Sequence, residues 1–164
     1  MSKDNSEKQM IWFLKPTKDK GISFLKIEHD DKDDFMTMWL PGFSRFKRIK
    51  SSQKSDSFMG SDLSFEDLTN RIISDYNYKI LESNKTEKCY QLESIPIELE
   101  SEYRKHITKI LEIEERVVIA IEENSYDEEN KLLKTKKFNF QKIDSYYKMN
   151  KLEVENVQKN HSTL

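Results

Sequence analysis

The stretch whose residue types could best support chemistry reads FMGSDLSFEDL and covers residues 58–68. A glycine followed by serine and aspartate could cradle a phosphate or hold a metal ion. Phosphate-binding loops, however, use several glycines so that backbone N–H groups converge on the anion, and this stretch contains only Gly60. The sequence therefore argues against a phosphate site here.

The same stretch has the features of a helix start. With Ser64 as the N-cap, Asp67 falls at the third helical position and completes a capping box. The carboxylates of Glu66 and Asp67 would also favour the positive end of the helix dipole. Gly60 would permit a turn at positive φ before the helix, and Asp62 could bond to loop amides or to a nearby arginine. We therefore predict a helix that begins near residue 65.

Other combinations of polar residues are weaker candidates for chemistry. The run HDDKDD at 29–34 lacks the ligand spacing of a calcium loop, so we predict a solvated hairpin turn. His29, His106 and His161 stand far apart and have no partner at metal-ligand spacing. No nucleophile, base or zinc-hydrolase signature occurs. We predict no catalytic residues, no metal site and no cofactor, and we expect the protein not to be an enzyme.

Composition narrows the class of protein further. The chain has 164 residues, with 28 Lys and Arg against 30 Asp and Glu, and a formal net charge of −2. This length predicts one domain over residues 1–164, and this balance gives no electrostatic reason to expect nucleic acid as a partner. No apolar run approaches the ~20 residues of a membrane helix, and the start MSKDNSEKQM lacks the apolar region of a signal peptide.

Strand-forming patterns surround these candidate residues. Four apolar clusters between residues 8 and 50 predict two consecutive β-hairpins, and the segments NYKILESN and KTEKCYQLES predict a third. Residues 103–127 suit either a helix or two strands joined near EIEER, and we favour the strands because of the β-branched run Val117, Val118 and Ile119. Two long strands with a turn at KIDS follow. The pattern predicts eight or nine antiparallel strands with at least one short helix.

The segment FMTMWLPGFSRFKRIK, residues 35–50, is the best candidate for binding. If Pro41 and Gly42 form a two-residue turn, Leu40 pairs with Phe43, and both faces of the hairpin are apolar near the turn. Either protein covers both faces or one of them receives an apolar ligand. Arg45 and Lys47 could meet anionic groups on that ligand. The candidate binding residues are Met36, Met38, Trp39, Leu40, Phe43 and Phe46.

The run WLPGFSRFKRIKSSQKSDSFMGSDLSFEDL resembles the signature of the LolA-like superfamily, a family of outer-membrane lipoprotein-sorting proteins. The shared pattern is a strand ending in Leu-Pro, a basic strand, a Ser-rich loop and the FMGSD…EDL stretch. The resemblance extends over residues 8–164 and departs from the family in the acidic connection 95–103. The matching positions, for which a structural role is implied, are Pro41, Arg45, Arg48, Gly60, Ser61, Asp62, Ser64, Glu66 and Asp67.

This resemblance implies a mainly β (α+β) fold, an antiparallel, incomplete (half) β-barrel with one or two short helices covering the hollow. It implies a non-enzymatic carrier of lipid or lipoprotein acyl chains, in outer-membrane lipoprotein sorting or envelope lipid transport. The alternative is an accessory protein-binding module of a membrane transporter, with the same fold but a filled core.

The resemblance also implies partners and a location. A membrane transporter or an outer-membrane acceptor would work beside the carrier. The protein would be periplasmic or part of the cell envelope if the full-length gene carries a signal peptide. Because family members usually have further sequence at each end, we expect this chain to be truncated at both termini.

Overall fold

The computed structural model describes residues 7–29, 34–97 and 101–164. The chain divides into two compact units, Met1–Lys54 and Ser55–Leu164. Within the described ranges the regular structure is antiparallel β-sheet, and the helical residues occur only in four 3-10 turns of three residues each. No helix in this part of the chain is long and apolar enough to cross a membrane. The half-barrel arrangement and the single-domain assignment stay predictions.

The first unit contains a four-stranded sheet that follows chain order, β1-β2-β3-β4. This order confirms the two consecutive hairpins predicted from the sequence. The turn predicted at HDDKDD lies largely outside the described residues, since 30–33 are not among them. The strands are β1 (Glu7–Trp12), β2 (Ser23–Glu28), β3 (Phe35–Leu40) and β4 (Arg45–Ile49).

The turn between β3 and β4 corrects one prediction, because Leu40 pairs with Arg45 and not with Phe43. Pro41–Phe43 form a 3-10 turn, and Ser44 closes it at a φ of 48°. Two-residue hairpin turns need positive φ at their first central position, which the proline ring forbids. The turn therefore lengthens to four residues and moves Phe43 out of the strand.

The core of the first unit lies on one face of its sheet. Met38 pairs with Phe24 across β2, and Met36 pairs with Ile49 across β4. Directly paired residues of antiparallel strands share a face, so these four side chains lie together, and all four are buried. Arg45 and Lys47 lie on this same face, but both are exposed.

The second unit contains a seven-stranded sheet with the order β11-β10-β9-β8-β7-β6-β5. The order confirms the three later hairpins, including two strands rather than a helix in residues 103–127. The described residues hold eleven strands in all, more than the eight or nine predicted. The seven strands are β5 (Tyr76–Asn84), β6 (Cys89–Pro96), β7 (Lys105–Glu114), β8 (Val117–Tyr126), β9 (Leu132–Ile143), β10 (Tyr146–Asn156) and β11 (His161–Thr163).

One face of the seven-stranded sheet buries charged side chains. Ser125 of β8 lies between His106 of β7 and Lys134 of β9 in the strand register. One pleat along, Glu123 lies opposite Lys136. All five of these side chains are buried, which charged residues tolerate only when they are paired.

Candidate functional site

The FMGSD part of the 58–68 stretch forms a tight turn. Met59 and Gly60 both have positive φ, at 56° and 74°. The Ser61 amide donates to the Phe58 carbonyl at 3.0 Å, and the Ser61 hydroxyl donates to the same oxygen at 2.6 Å. The positive φ predicted for Gly60 is confirmed.

The helix predicted near residue 65 is a single 3-10 turn, Glu66–Leu68. The hydrogen bonds of the predicted capping box do form, since the Ser64 amide donates to Asp67 Oδ2 at 2.8 Å and the Asp67 amide donates to Ser64 Oγ at 3.4 Å. The chain becomes extended at Thr69, which has φ −95° and ψ 147°. The motif therefore specifies one capped turn and not an α-helix.

The carboxylate of Asp67 binds the seven-stranded sheet. Its side chain is 1% exposed, and it forms ion pairs with Lys136 and, at 3.2 Å, with Lys134. The Tyr103 hydroxyl donates to both Asp67 oxygens, at 2.8 and 2.9 Å, and Lys134 Nζ donates to that hydroxyl at 2.7 Å. A residue predicted only as a helix cap is thus the anion at the centre of a buried cluster.

A second buried anion, Glu123, extends this cluster. Arg71 donates to both Glu123 oxygens, at 2.6 and 2.8 Å, in the bidentate geometry that suits a guanidinium and a carboxylate. Lys136 Nζ donates to Glu123 at 3.1 Å and so joins the two anions. Three cations (Lys134, Lys136 and Arg71) face three carboxylates, those of Asp67, Glu123 and the half-buried Glu102. The charges balance within the cluster.

The electrostatics of the cluster follow from this balance. Burial alone would raise the pKa of Asp67, but Lys136 and Lys134 outweigh it and hold that pKa at about 2. Burial would likewise raise the pKa of Glu123, but Arg71 and Lys136 hold it far below its usual range. Both carboxyl groups therefore stay ionised at neutral pH.

His106 lies beside this cluster in its neutral form. Burial, followed by the Arg71 charge, lowers the pKa of His106 to about 3. Arg71 Nη2 lies 3.2 Å from His106 Nδ1, and since a guanidinium only donates, Nδ1 accepts and the ring proton sits on Nε2. Nε2 is buried and has no hydrogen-bond partner among the described residues. The geometry thus assigns one tautomer.

Other residues of the 58–68 stretch bind neighbouring chain segments. Asp62 contacts Thr163 Oγ1 and His161 Nδ1, both at 2.7 Å, where an arginine or loop amides were predicted. Glu66 accepts from the Glu102 amide at 2.8 Å. No group of three or more His, Cys, Asp or Glu in the described ranges could hold a metal ion. The side chains of Asp62, Glu66 and Asp67 thus bind this stretch to other segments of the second unit.

A different arrangement is found on the open face of the four-stranded sheet. Trp12 and Trp39 are both paired with Ser23, and Trp39 is also paired with Phe46, so one row crosses all four strands. The Trp39 and Phe46 rings lie 4.9 Å apart. We call this the aromatic face, and its apolar members are Met10, Trp12, Leu25, Ile27, Phe35, Trp39 and Phe46.

The aromatic face is accessible to solvent. Phe46 is 71% exposed and Trp12 is 60% exposed, while Met10 is also exposed. Arg48 lies over the Phe35 ring at 4.0 Å and brings a cation to this face. The apolar side chains of the aromatic face are therefore half-buried or exposed, whereas the opposite face carries the buried core.

The structure separates the predicted binding residues into three groups. Met36 and Met38 are buried in the core, and Leu40 is half-buried on their face. Trp39 and Phe46 lie on the aromatic face. Phe43 lies in the turn and is 71% exposed.

Sequence reasoning missed Trp12 and Met10 as neighbours of Trp39. The signal was present, because Met10 and Trp12 alternate in the predicted first strand and therefore share a face. Only the strand register shows that this face is the one that carries Trp39.

One protein family, described as "-like: Uncharacterized protein", matches residues 5–164. No curated protein matches the chain in sequence.

Solved structures share this fold over nearly the whole chain. A domain described as an outer membrane lipoprotein-sorting protein, from Vibrio parahaemolyticus, is 30% identical with a TM-score of 0.82, and the match covers 99% of this chain and 69% of that one. A DUF1329 family protein from Desulfovibrio piger is 29% identical with a TM-score of 0.83 and the same two coverages.

A third solved structure is similar in fold, but its sequence identity is too low to define the family. A LolA superfamily protein from Nitrosomonas europaea is 21% identical with a TM-score of 0.64, and the match covers 95% of this chain and 67% of that one. The family match and the 30% identical domain are specific enough to define the family. The chain belongs to the same family as the outer membrane lipoprotein-sorting protein domain from Vibrio parahaemolyticus.

Proposed function

We propose that this protein is a non-enzymatic carrier that binds the acyl chains of a lipid or lipoprotein on its aromatic face. Membership of the same family as the domain from Vibrio parahaemolyticus supports the carrier class, since that domain is described as lipoprotein-sorting. The observation that carries the proposal is the open row Trp12, Trp39 and Phe46, which crosses all four strands of the first sheet.

The energetics of this face suit an acyl chain. Burial of each methylene is favourable by ~0.8 kcal/mol, so a chain laid along exposed aromatic side chains needs no charged chemistry to bind. Arg48, held over Phe35, would meet an anionic group at the end of such a chain. The aromatic face thus offers both an apolar track and a cation.

The opposite face is a poorer site for the same ligand. Met36 and Ile49 are each 1% exposed, and Phe24 is 0% exposed. A ligand could reach them only by displacing close-packed side chains, which costs the energy of the packing that is lost. The proposal therefore places the ligand against Trp39 and Phe46 and not against Met36 or Met38.

The partners and the compartment form part of the same proposal. A carrier of acyl chains needs a donor and an acceptor, and the family suggests a membrane transporter and an outer-membrane acceptor. The expected compartment is the periplasm or the cell envelope. The competing function, an accessory module of a transporter, is favoured by the filled core around Phe24, since a filled core holds no ligand.

A titration with a fluorescent fatty acid in vesicle-free solution, followed by native mass spectrometry, tests the proposal. Phe46→Ala is expected to weaken binding about tenfold, because it removes one of the aromatic contacts. Phe43→Ala is the matched control, since Phe43 is also 71% exposed but lies in the turn. Absence of binding by the wild-type protein would favour the accessory module instead.

A further inference from the structure

Two turns meet at one end of the four-stranded sheet. The β1–β2 turn covers residues 13–22 and the β3–β4 turn covers residues 41–44. Both lie at the same end of the sheet because β1 and β3 run in the same direction. Gly21 of the first turn lies against Pro41 of the second, since a methyl group built on Gly21 would be 3.6 Å from the Pro41 ring. We call this end, residues 13–22 and 41–48, the basic tip.

Apolar side chains project from the basic tip. Leu14 is 76% exposed and Phe43 is 71% exposed, one in each turn. Trp12, at the end of β1, borders the tip, and Phe46, in β4, lies within it; both are exposed as well. Exposed apolar side chains that cluster at the turns of a sheet indicate a surface that contacts a membrane or another protein.

Cations surround these apolar groups. The tip has six cations against one acid, Asp19, so its net charge is +5, while the whole chain has a net charge of −2. All six cations are exposed, and none forms an ion pair with a described residue. They are Lys15, Lys18, Lys20, Arg45, Lys47 and Arg48.

The cations do not lie on one side of the tip. Arg45 and Lys47 project from one face of β4, and Arg48 projects from the other. Lys15, Lys18 and Lys20 are three further exposed cations in the first turn. Cations on both faces of β4 and in the first turn, together with two exposed apolar turn residues, suit a broad anionic surface with an apolar interior more than a single acidic side chain on a protein.

We propose that the basic tip docks on the surface of a bilayer that contains anionic phospholipids. Leu14 and Phe43 would enter the boundary between headgroups and acyl chains, and the six cations would meet the lipid phosphates. The two surfaces share Phe46 and Arg48. Leu14, Phe43 and the three lysines of the first turn, however, lie outside the aromatic face, so docking can be tested separately from acyl-chain binding.

Sedimentation with sucrose-loaded vesicles tests this docking. The protein is expected to bind vesicles of phosphatidylcholine mixed with phosphatidylglycerol, to bind pure phosphatidylcholine vesicles weakly, and to lose most binding at high salt. Equal binding to both vesicle types, or no binding to either, would overturn the proposal.

A pair of triple variants assigns the effect to the tip. Lys15→Ala, Lys18→Ala and Lys20→Ala together are expected to weaken binding on the order of a hundredfold. The control changes three exposed lysines of the second unit, Lys85→Ala, Lys148→Ala and Lys159→Ala, and alters the net charge equally. Equal loss in both triple variants would contradict a specific tip.

Two single variants separate docking from acyl-chain binding. Phe43→Ser is expected to weaken vesicle binding and to leave fatty-acid binding in vesicle-free solution intact. Phe46→Ala is expected to weaken fatty-acid binding more strongly than Phe43→Ser does. Vesicle binding that is insensitive to both Leu14→Ser and Phe43→Ser would overturn the insertion of the turns, whatever the fatty-acid titration shows.

Discussion

Asp67 and Lys136 form an ion pair in which both side chains are at least nine-tenths buried, although 69 positions separate them in the chain. Lys136 also binds Glu123, so one ammonium group joins the capped turn to the middle of the seven-stranded sheet. The charges of Asp67, Glu123, Lys134 and Lys136 depend on one another, because all four side chains are buried.

We predict that Asp67→Asn lowers the free energy of unfolding by about 3–5 kcal/mol. Removing one member of a buried ion pair leaves Lys134 and Lys136 without their central anion. The measurement is chemical denaturation followed by circular dichroism.

The control for this prediction is an exposed ion pair of the same sheet. Glu153 pairs with Lys151, and their side chains are 40% and 46% exposed. Glu153→Gln is expected to leave the unfolding midpoint unchanged, because exposed pairs contribute little. A loss as small for Asp67→Asn as for Glu153→Gln would show that the buried cluster does not stabilise the fold.

We predict that the free energy of unfolding falls as the pH drops from about 6.5 toward 3, through His106. The pKa of His106 is lowered from 6.5 to about 3 in the folded protein. Between these two pH values the unfolded chain binds a proton at His106 and the folded chain does not. The expected slope is about 1.4 kcal/mol per pH unit for this residue. Asp67, whose pKa is lowered from 3.8 to about 2, adds a further loss only below about pH 4.

The pH dependence is checked with His106→Gln and with NMR. The variant is expected to show a flatter dependence of stability between pH 6 and 4.5, even where its absolute stability is lower. The ring resonances of His106 in the wild-type protein are expected to show no protonation in that range. A His106 titration centred near pH 6.5 would refute the assignment of a buried neutral imidazole.

We predict that Gly60→Ala destabilises the protein by about 1 kcal/mol, whereas Gly42→Ala does not. A side chain at Gly60 would meet no atom within 4 Å, so the cost comes from its φ of 74° alone. A side chain at Gly42 would also meet no atom within 4 Å, and the φ of Gly42 is not positive. Thermal melts of both variants are the measurement, and Gly60→Asn is expected to recover part of the loss, since asparagine tolerates this conformation. Equal melting temperatures for the two alanine variants would exclude a backbone cause.

The strands could be predicted from the sequence because each carries its own local signal. Alternating apolar residues in FMTMWL and the β-branched run at Val117 specify strands without information from the rest of the chain. The β3–β4 turn was predicted with the wrong length, although the restricted φ of Pro41 contains the reason for a longer turn.

The buried cluster could not be predicted in the same way. His106, Thr108, Glu123 and Ser125 alternate along their strands, but alternating polar residues are the usual pattern of a face that meets water. This face is buried for two reasons that lie outside the strands' own sequences. The strand register brings Glu123 opposite Lys136, and the segment that carries Asp67 and Arg71 binds both of them. The contacts of Asp67 and Arg71 with the sheet join residues more than 50 positions apart, beyond the reach of a local pattern.

Quenching of tryptophan fluorescence by a brominated fatty acid tests the central claim most directly. The chain has two tryptophans, and both lie on the aromatic face beside Ser23. In vesicle-free solution the account predicts saturable quenching that persists in Trp12→Phe, where Trp39 is the sole reporter, and that weakens in Phe46→Ala but not in Phe43→Ala. Quenching no stronger than that of free tryptophan in the same solution would contradict acyl-chain binding on this face.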